Sequence, residues 1–190
     1  MGGFKSSILH DRTYGTQVDM TPDGQFAISI IPGGNNAALF NITDKALLYK
    51  LGRHQGEVES VGIDPNGRYC VTCGQDGKSF AWVLKTDRMA FSMPPHSDFV
   101  STVAFNDNGQ WIATGSYDKT INLLNMAIMK HSIKLRGHNS AIVKIIFLPE
   151  AKLLSVEKEG TLIVWDMRNG KVITRLPKMN DEVTSMSISA

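Results

Sequence analysis

The chain has 190 residues, 20 Lys and Arg against 18 Asp and Glu, a formal net charge of +2 and 42% hydrophobic residues. That balance suits a globular domain and excludes a strongly charged surface built for nucleic acid or anionic membrane. The longest apolar run near the start, FAISII, is far too short to span a bilayer, and no low-complexity stretch or charge run marks a linker.

Residues 1–13 contain no charged start followed by an apolar h-region, so no secretory signal is read there. The opening MGGFKS fits an N-myristoylation pattern at Gly2 and Ser6. FKSSIL also reads as the last strand of a repeating unit, and that reading is adopted, so no membrane attachment is expected. Four alternating strands follow, carried by Val18 and Met20, Val61 and Ile63, Val103 and Phe105, and Ile145 and Phe147. A period of two with one apolar face is a half-buried strand. Each is followed by a turn: PDG, PNG, DNG or PEA. Gly24, Gly67 and Gly109, with Ala151 in the fourth place, are spaced by 43, 42 and 42 residues. Asp-Gly and Asn-Gly supply the positive φ that two-residue hairpins need.

A second strand comes next (YCVTC, WIATGS, KLLSV), then a second turn (QDG, YDK, KEG) and a third strand (SFAWV, TINLLN, TLIVWD). A short fourth strand closes the unit, as in ALLYKL and KVITRL. The units run over 14–51, 54–93, 96–135 and 138–176. DEVTSMSIS aligns with GEVESVGID, so a fifth begins at 182–190. The second turn of the first unit, PGGNNA, reads as a wide surface loop. It lacks the strand-to-helix setting and the Lys-Ser/Thr of a phosphate cradle, and GQDGKS fails the same test. Cys70 and Cys73 are three apart on a strand and face opposite ways, so neither a metal site nor a disulfide is expected. Two lone packed cysteines suit a reducing compartment, and the expected location is the cytoplasm.

Four antiparallel strands per ~42 residues resemble a blade of the WD-repeat (WD40) β-propeller family. RGH at 136–138 and Trp165-Asp166 stand 27 residues apart, counted from His138 to Trp165, like the Gly-His and Trp-Asp ends of that repeat. His54, Thr72, Asp76 and Trp82 match the family's structural tetrad. In it the Asp holds the His, the His meets the hydroxyl, and the hydroxyl meets the indole. The third unit has His96, Thr114 and Asp118, with Leu124 in place of Trp. The fourth has His138, Ser155 and Trp165, with Glu159 where Asp belongs. The first offers only Phe40-Asn41. Those three units are expected to lean more on apolar packing. His54, Thr72 and Asp76 also have the members of a nucleophilic triad, but a Thr buried and spent on Trp82 reads as structural.

The resemblance implies an all-β propeller of four-stranded antiparallel blades, about four and a half of them present. Members usually close with seven blades, or roughly 300 residues. The expectation is therefore a segment of a longer chain, with a half-ring completed by a second copy as the alternative. Partner contacts in the family flank the first apolar residue of the inner strand and precede the turn Asp. Carried over, these positions give Tyr14, Glu57, Phe99 and Ala141, then Thr16, Glu59, Ser101 and Val143, then Gln75, Tyr117 and Lys158. The expected function is a non-catalytic scaffold binding a protein or peptide near the channel mouth, without cofactor or metal. The alternative is an enzymatic or small-molecule propeller with its site in the channel, for which the inner strands offer Glu59, Asp64 and Lys144.

Overall fold

The structure is a computed structural model that describes residues 17–129, 132–176 and 178. The described residues form four sheets, each of four antiparallel strands in chain order from inner to outer. Blade one is β1 (Val18–Met20), β2 (Phe26–Ile30), β3 (Asn36–Asn41) and β4 (Ala46–Gly52). Blade two is β5 (Val58–Ile63), β6 (Tyr69–Gly74), β7 (Ser79–Val83) and β8 (Met89–Ser92). Blade three is β9 (Val100–Phe105), β10 (Trp111–Ser116), β11 (Thr120–Asn125) and β12 (Ser132–Arg136). Blade four is β13 (Ile142–Leu148), β14 (Lys152–Glu157), β15 (Leu162–Asp166) and β16 (Lys171–Leu176). This is the expected partial propeller. The extra strands read from FKSSIL and DEVTSMSIS lie outside the described residues.

The core sits in the seams between blades. Ile28, Leu39 and Leu51 of blade one pack with Val58, Val61 and Trp82 of blade two. Val71, Ala81 and Met93 meet Val100, Val103 and Ile112, and Leu123 and Leu135 meet Ile142, Ile145 and Trp165. Alternation therefore feeds two seams from one blade. Cys70 belongs to the first and Cys73 to the second. Both are free and buried, and burial pushes both thiols up to about 12, which leaves them protonated and unreactive.

Side chains also stitch neighbouring inner strands. Gln17 Oε1 accepts the Val61 N–H at 3.1 Å and Asp19 Oδ2 the Ile63 N–H at 2.8 Å. Ser60 Oγ accepts the Val103 N–H at 3.1 Å, and Ser101 Oγ donates to the Ile142 carbonyl. Inner strands lack a partner strand on the channel side, so these bonds satisfy groups that burial would leave orphaned.

The first turns differ from the expected two-residue hairpins. The Asp64 N–H reaches the Tyr69 carbonyl at 2.9 Å, and Thr21–Phe26 and Asn106–Trp111 repeat that bond, so four residues lie in each loop. Gly24, Gly67 and Gly109 hold φ of 70°, 64° and 64° there. In blade four Leu148 pairs directly with Lys152, which leaves a three-residue loop. Glu150 and Ala151 both take positive φ in it, at 61° and 58°, so the turn that lacks glycine is one residue tighter and bends at two positions. The second turn of blade one, read as wide, is longer than its counterparts: the Ile31 N–H reaches the Asn36 carbonyl at 3.3 Å across four residues, where the Gly74 N–H reaches the Lys78 carbonyl across three.

Candidate protein-interaction face

One end of the blades is organised by the histidines. His54 Nδ1 meets Asp76 Oδ1 at 2.9 Å and Nε2 meets Thr72 Oγ1 at 2.8 Å, while Trp82 Nε1 donates to the same hydroxyl at 3.1 Å. Asp76 also accepts the Gln55 and Lys78 N–H groups. Burial works against its charge, but the bonds from His54, Gln55 and Lys78 hold its carboxyl below the usual range. Thr72 is wholly buried and fully used, so the triad's members make a clamp with no open nucleophile. Asp76→Ala is expected to cost about 1–3 kcal/mol, because it strands the imidazole and two backbone donors. An unchanged urea midpoint would show that the clamp does not form.

Blades three and four depart from the expected reliance on apolar packing. Leu124 does replace the tryptophan, but Asn122 takes its polar role. Asn122 Nδ2 lies 3.1 Å from His96 Nε2 and 3.0 Å from the Pro94 carbonyl. Thr114 Oγ1 is 3.0 Å from the same ring nitrogen, and Asp118 Oδ2 is 3.0 Å from Nδ1. Burial opposes the Asp118 charge, yet donors from Thr120, Ser97 and His96 hold its carboxyl at about 2. In blade four the acid is Glu157, not Glu159. Glu157 Oε2 takes His138 Nδ1 at 2.9 Å and the Asn139 and Ser140 N–H groups at 2.8 and 3.1 Å. Glu159 sits outside, 3.5 Å from Lys178 Nζ.

Geometry explains the swap. Glu157 occupies the strand-end position of Gly74, where an added Cβ lies 2.6 Å from His54 Nδ1. A side chain there points at the histidine, and a glutamate reaches it without help from the turn. His138 Nε2 and Trp165 Nε1 both meet Ser155 Oγ, at 2.6 and 2.8 Å.

Burial pushes His96 and His138 below the ordinary imidazole range despite their acidic partners. The unfolded chain binds these protons at about 6.5, so it gains protons first as pH falls. Their stabilising contribution is complete above that value and is lost as pH falls toward the depressed folded values. The Asp118 contribution persists lower, vanishing from the ordinary carboxylate range down to about 2. The urea midpoint is therefore expected to be level above about pH 7 and to fall as the pH drops below about 6.5. A level midpoint below that value would mean that both imidazoles ionise alike in the two states.

The candidate contact residues lie at this same end. In each of the last three blades a backbone bond joins the two loops that carry them: Gln75 N–H to Glu57 O, Tyr117 N–H to Phe99 O, and Lys158 N–H to Ala141 O. Phe99 and Tyr117 are 38% and 41% exposed, and their ring centroids are 5.8 Å apart with 33° between planes. Glu57 and Glu59 are exposed, and Gln75 Nε2 donates to Glu59 Oε1 at 2.6 Å. Lys158 is exposed. Ser101 is half-buried, its hydroxyl turned to the Gly115 and Ile142 carbonyls. Tyr14 and Thr16 lie outside the described residues. The strand register slips at Glu59, Ser101 and Val143, each left without an opposite residue. These are β-bulges, which re-aim side chains at the ends of inner strands, and alternation alone gives no sign of them.

A pocket along the inner strands is lined in part by Gln17, Asp19, Phe105 and Lys144. Burial raises the Asp19 carboxyl, against donors from Ile63 and Met20 and the charge of Lys144. Burial lowers Lys144, against Asp19. Asp64 turns away to the blade two–three seam, where it pairs with Arg68 Nε at 2.6 Å. Among the described residues no cluster of three or more His, Cys, Asp or Glu is arranged to hold a metal, and no helix is long and apolar enough to cross a membrane.

Residues 45–82 and 88–125 match the family model described as "WD domain, G-beta repeat". The chain carries WD40 repeats. Each matched WD40 segment starts just before the outer strand of one blade and ends in the third strand of the next. The chain is similar to the guanine nucleotide-binding protein subunit beta of Oryza sativa subsp. indica, 27% identical over 150 residues. That alignment covers 74% of this chain and 40% of the relative. The Zea mays protein of the same description is 28% identical over 144 residues, 71% of this chain and 38% of that one. The one from Dictyostelium discoideum is 27% identical over 140 residues, 72% and 40%. The chain thus spans about two fifths of the length of these relatives.

Proposed function

We propose that this chain is a non-catalytic scaffold that captures a protein segment on the histidine-clamped end of its blades, with the Phe99–Tyr117 pair as the anchor. The observation that carries the reading is the contrast within that end. The clamp hydroxyls and imidazoles are buried and spent on one another, whereas two large aromatic rings in contact are left facing solvent. Exposed, preorganised aromatics are what an interface hot spot needs. The acidic Glu57 and Glu59 stand on the adjacent blade, so the segment that fits presents an apolar side chain to the rings and a basic or polar stretch toward blade two. The relatives are subunits by name, which agrees with a life in contact with other proteins. The protonated thiols suit a reducing compartment such as the cytoplasm.

The test begins with selection of peptides from a displayed library on the 190-residue chain. Phe99→Ala combined with Tyr117→Ala is expected to reduce capture of the selected peptides at least tenfold. The urea midpoint should stay close to that of the parent, because both residues are already partly exposed and lie outside the buried core. Capture that survives the double change removes this site. A chain completed by a second copy would show twice its mass in light scattering, and a single mass would remove that alternative and favour a segment of a longer propeller.

A further inference from the structure

The three clamps differ at the inner ring nitrogen. His54 and His138 present Nε2 to a hydroxyl, of Thr72 and Ser155 respectively. A hydroxyl rotates, so it donates to a bare nitrogen or accepts from a protonated one. His96 presents Nε2 to a hydroxyl and also to an amide nitrogen that can only donate. The amide is not free to turn over, because the same Asn122 Nδ2 donates to the Pro94 carbonyl. Turning it would set Oδ1 against that carbonyl. The network therefore requires Nε2 bare and the proton on Nδ1. There Asp118 Oδ2 and Thr120 Oγ1 accept it, at 3.0 and 3.2 Å.

This histidine sits at the root of the aromatic pair. The Ser97 N–H donates to Asp118 Oδ2 and the Ser116 hydroxyl donates to the Asp98 carbonyl, each at 3.1 Å. The Tyr117 N–H reaches the Phe99 carbonyl at 2.9 Å. Residues 94–99 are thus held to 116–122 through the imidazole and its acid. The charged groups around the ring are Asp118 beside it and Lys134 on β12. Asp98 lies on its own loop. Asp76 and Lys78 flank Gly77 on the β6–β7 turn, whose carbonyl accepts the His96 N–H at 2.9 Å.

We propose that His96 is a proton-operated latch on the Phe99–Tyr117 pair: a proton at Nε2 drives the Asn122 amide off its two acceptors, frees the Pro94–Phe99 segment and releases the captured partner in mild acid. The step is one proton taken from solvent, with no other bond made or broken covalently. The regulatory part rests on the reading of the aromatic pair as the capture site. The latch itself does not, and it is read without any partner.

The measurement is nitrogen-15 NMR of the 190-residue chain between pH 8 and 5. At neutral pH His96 is expected to carry its proton on Nδ1. As it titrates, the Phe99 and Tyr117 ring resonances should move with the same midpoint. Asn122→Phe, which installs the residue found at the matching position of blade two (Phe80), removes the blocking amide. In that variant the rings should stop following the His96 titration. A proton on Nε2 at neutral pH, or a titration that leaves the rings still, overturns the latch, and both are read on the parent chain even if the variant fails to fold. Peptide capture separates the two readings. No capture at any pH with the coupled titration intact removes the site and keeps the latch. Capture that is indifferent to pH removes the latch and keeps the site.

Discussion

Glu157→Ala is expected to destabilise the protein by about 3 kcal/mol, the upper end of the range for leaving buried donors without an acceptor. The carboxylate is 2% exposed and one of its oxygens serves three donors: His138 Nδ1 and the N–H groups of Asn139 and Ser140. Alanine leaves all three without an acceptor where water does not replace it. His138 then loses the partner that orients it toward Ser155, and the Trp165 indole loses a fixed hydroxyl. Glu159→Ala is the control. Its carboxylate is well exposed and only 3.5 Å from Lys178, so the cost should stay within about 0.5 kcal/mol. Urea titrations of the two variants decide the matter. Equal midpoints, or a larger loss at Glu159, would return the acid of the fourth clamp to the turn.

Gly109→Ala is the second large effect, at about 3 kcal/mol from backbone strain plus a displaced polar contact. The residue has φ of 64°, a region that costs a side chain about 1–2 kcal/mol. A Cβ there would also lie 2.2 Å from Asp64 Oδ1 and 2.3 Å from Asn66 Nδ2. Asp64 is completely buried. Arg68 bonds it at 2.6 Å and reaches the Gly109 carbonyl at 2.9 Å, while Asn66 Nδ2 holds the Asn108 carbonyl at 2.9 Å. One methyl group therefore pries at the bond network between blades two and three. Gly24→Ala isolates the backbone part, because its φ is 70° and nothing lies within 4 Å of its Cβ. It should cost about 1–2 kcal/mol. Identical losses in the two variants would show that the Asp64 network relaxes freely.

The blades were legible because two signals of different range agree in this chain. Alternation at Val61 and Ile63 or Val103 and Phe105 marks each inner strand locally, and the return of the glycines after 43 and 42 residues sets the unit. The clamp of blade two was legible for the same reason, since all four members keep their spacing. Glu157 was not. Two glutamates lie two residues apart in VEKEG, and alignment favours the one in the turn. Which carboxylate reaches the imidazole depends on side-chain length and on the direction of the Cβ at a strand end, and neither is a property of spacing. Asn122 escaped likewise: it stands in a third strand as a polar residue among apolar ones, and only the position of the Pro94 carbonyl gives it a purpose. The four-residue loops were missed because Asp-Gly and Asn-Gly also serve longer turns that end in a left-handed glycine.

The two matched segments each give their first strand to the rim of one blade and their next three to the blade that follows. The genetic unit and the folded unit are therefore out of step by one strand, and the chain is joined like links rather than stacked like coins. Duplicating such a unit finishes the blade before it and opens the blade after it, so the number of blades can change in one event without leaving a ragged sheet inside the arc. A cut at Lys45, where one segment begins, would do the opposite. It would strip β4 from blade one while leaving blade two whole, so excisions meant to isolate a sub-arc belong after an outer strand, between Gly52 and Val58 or between Ser92 and Val100.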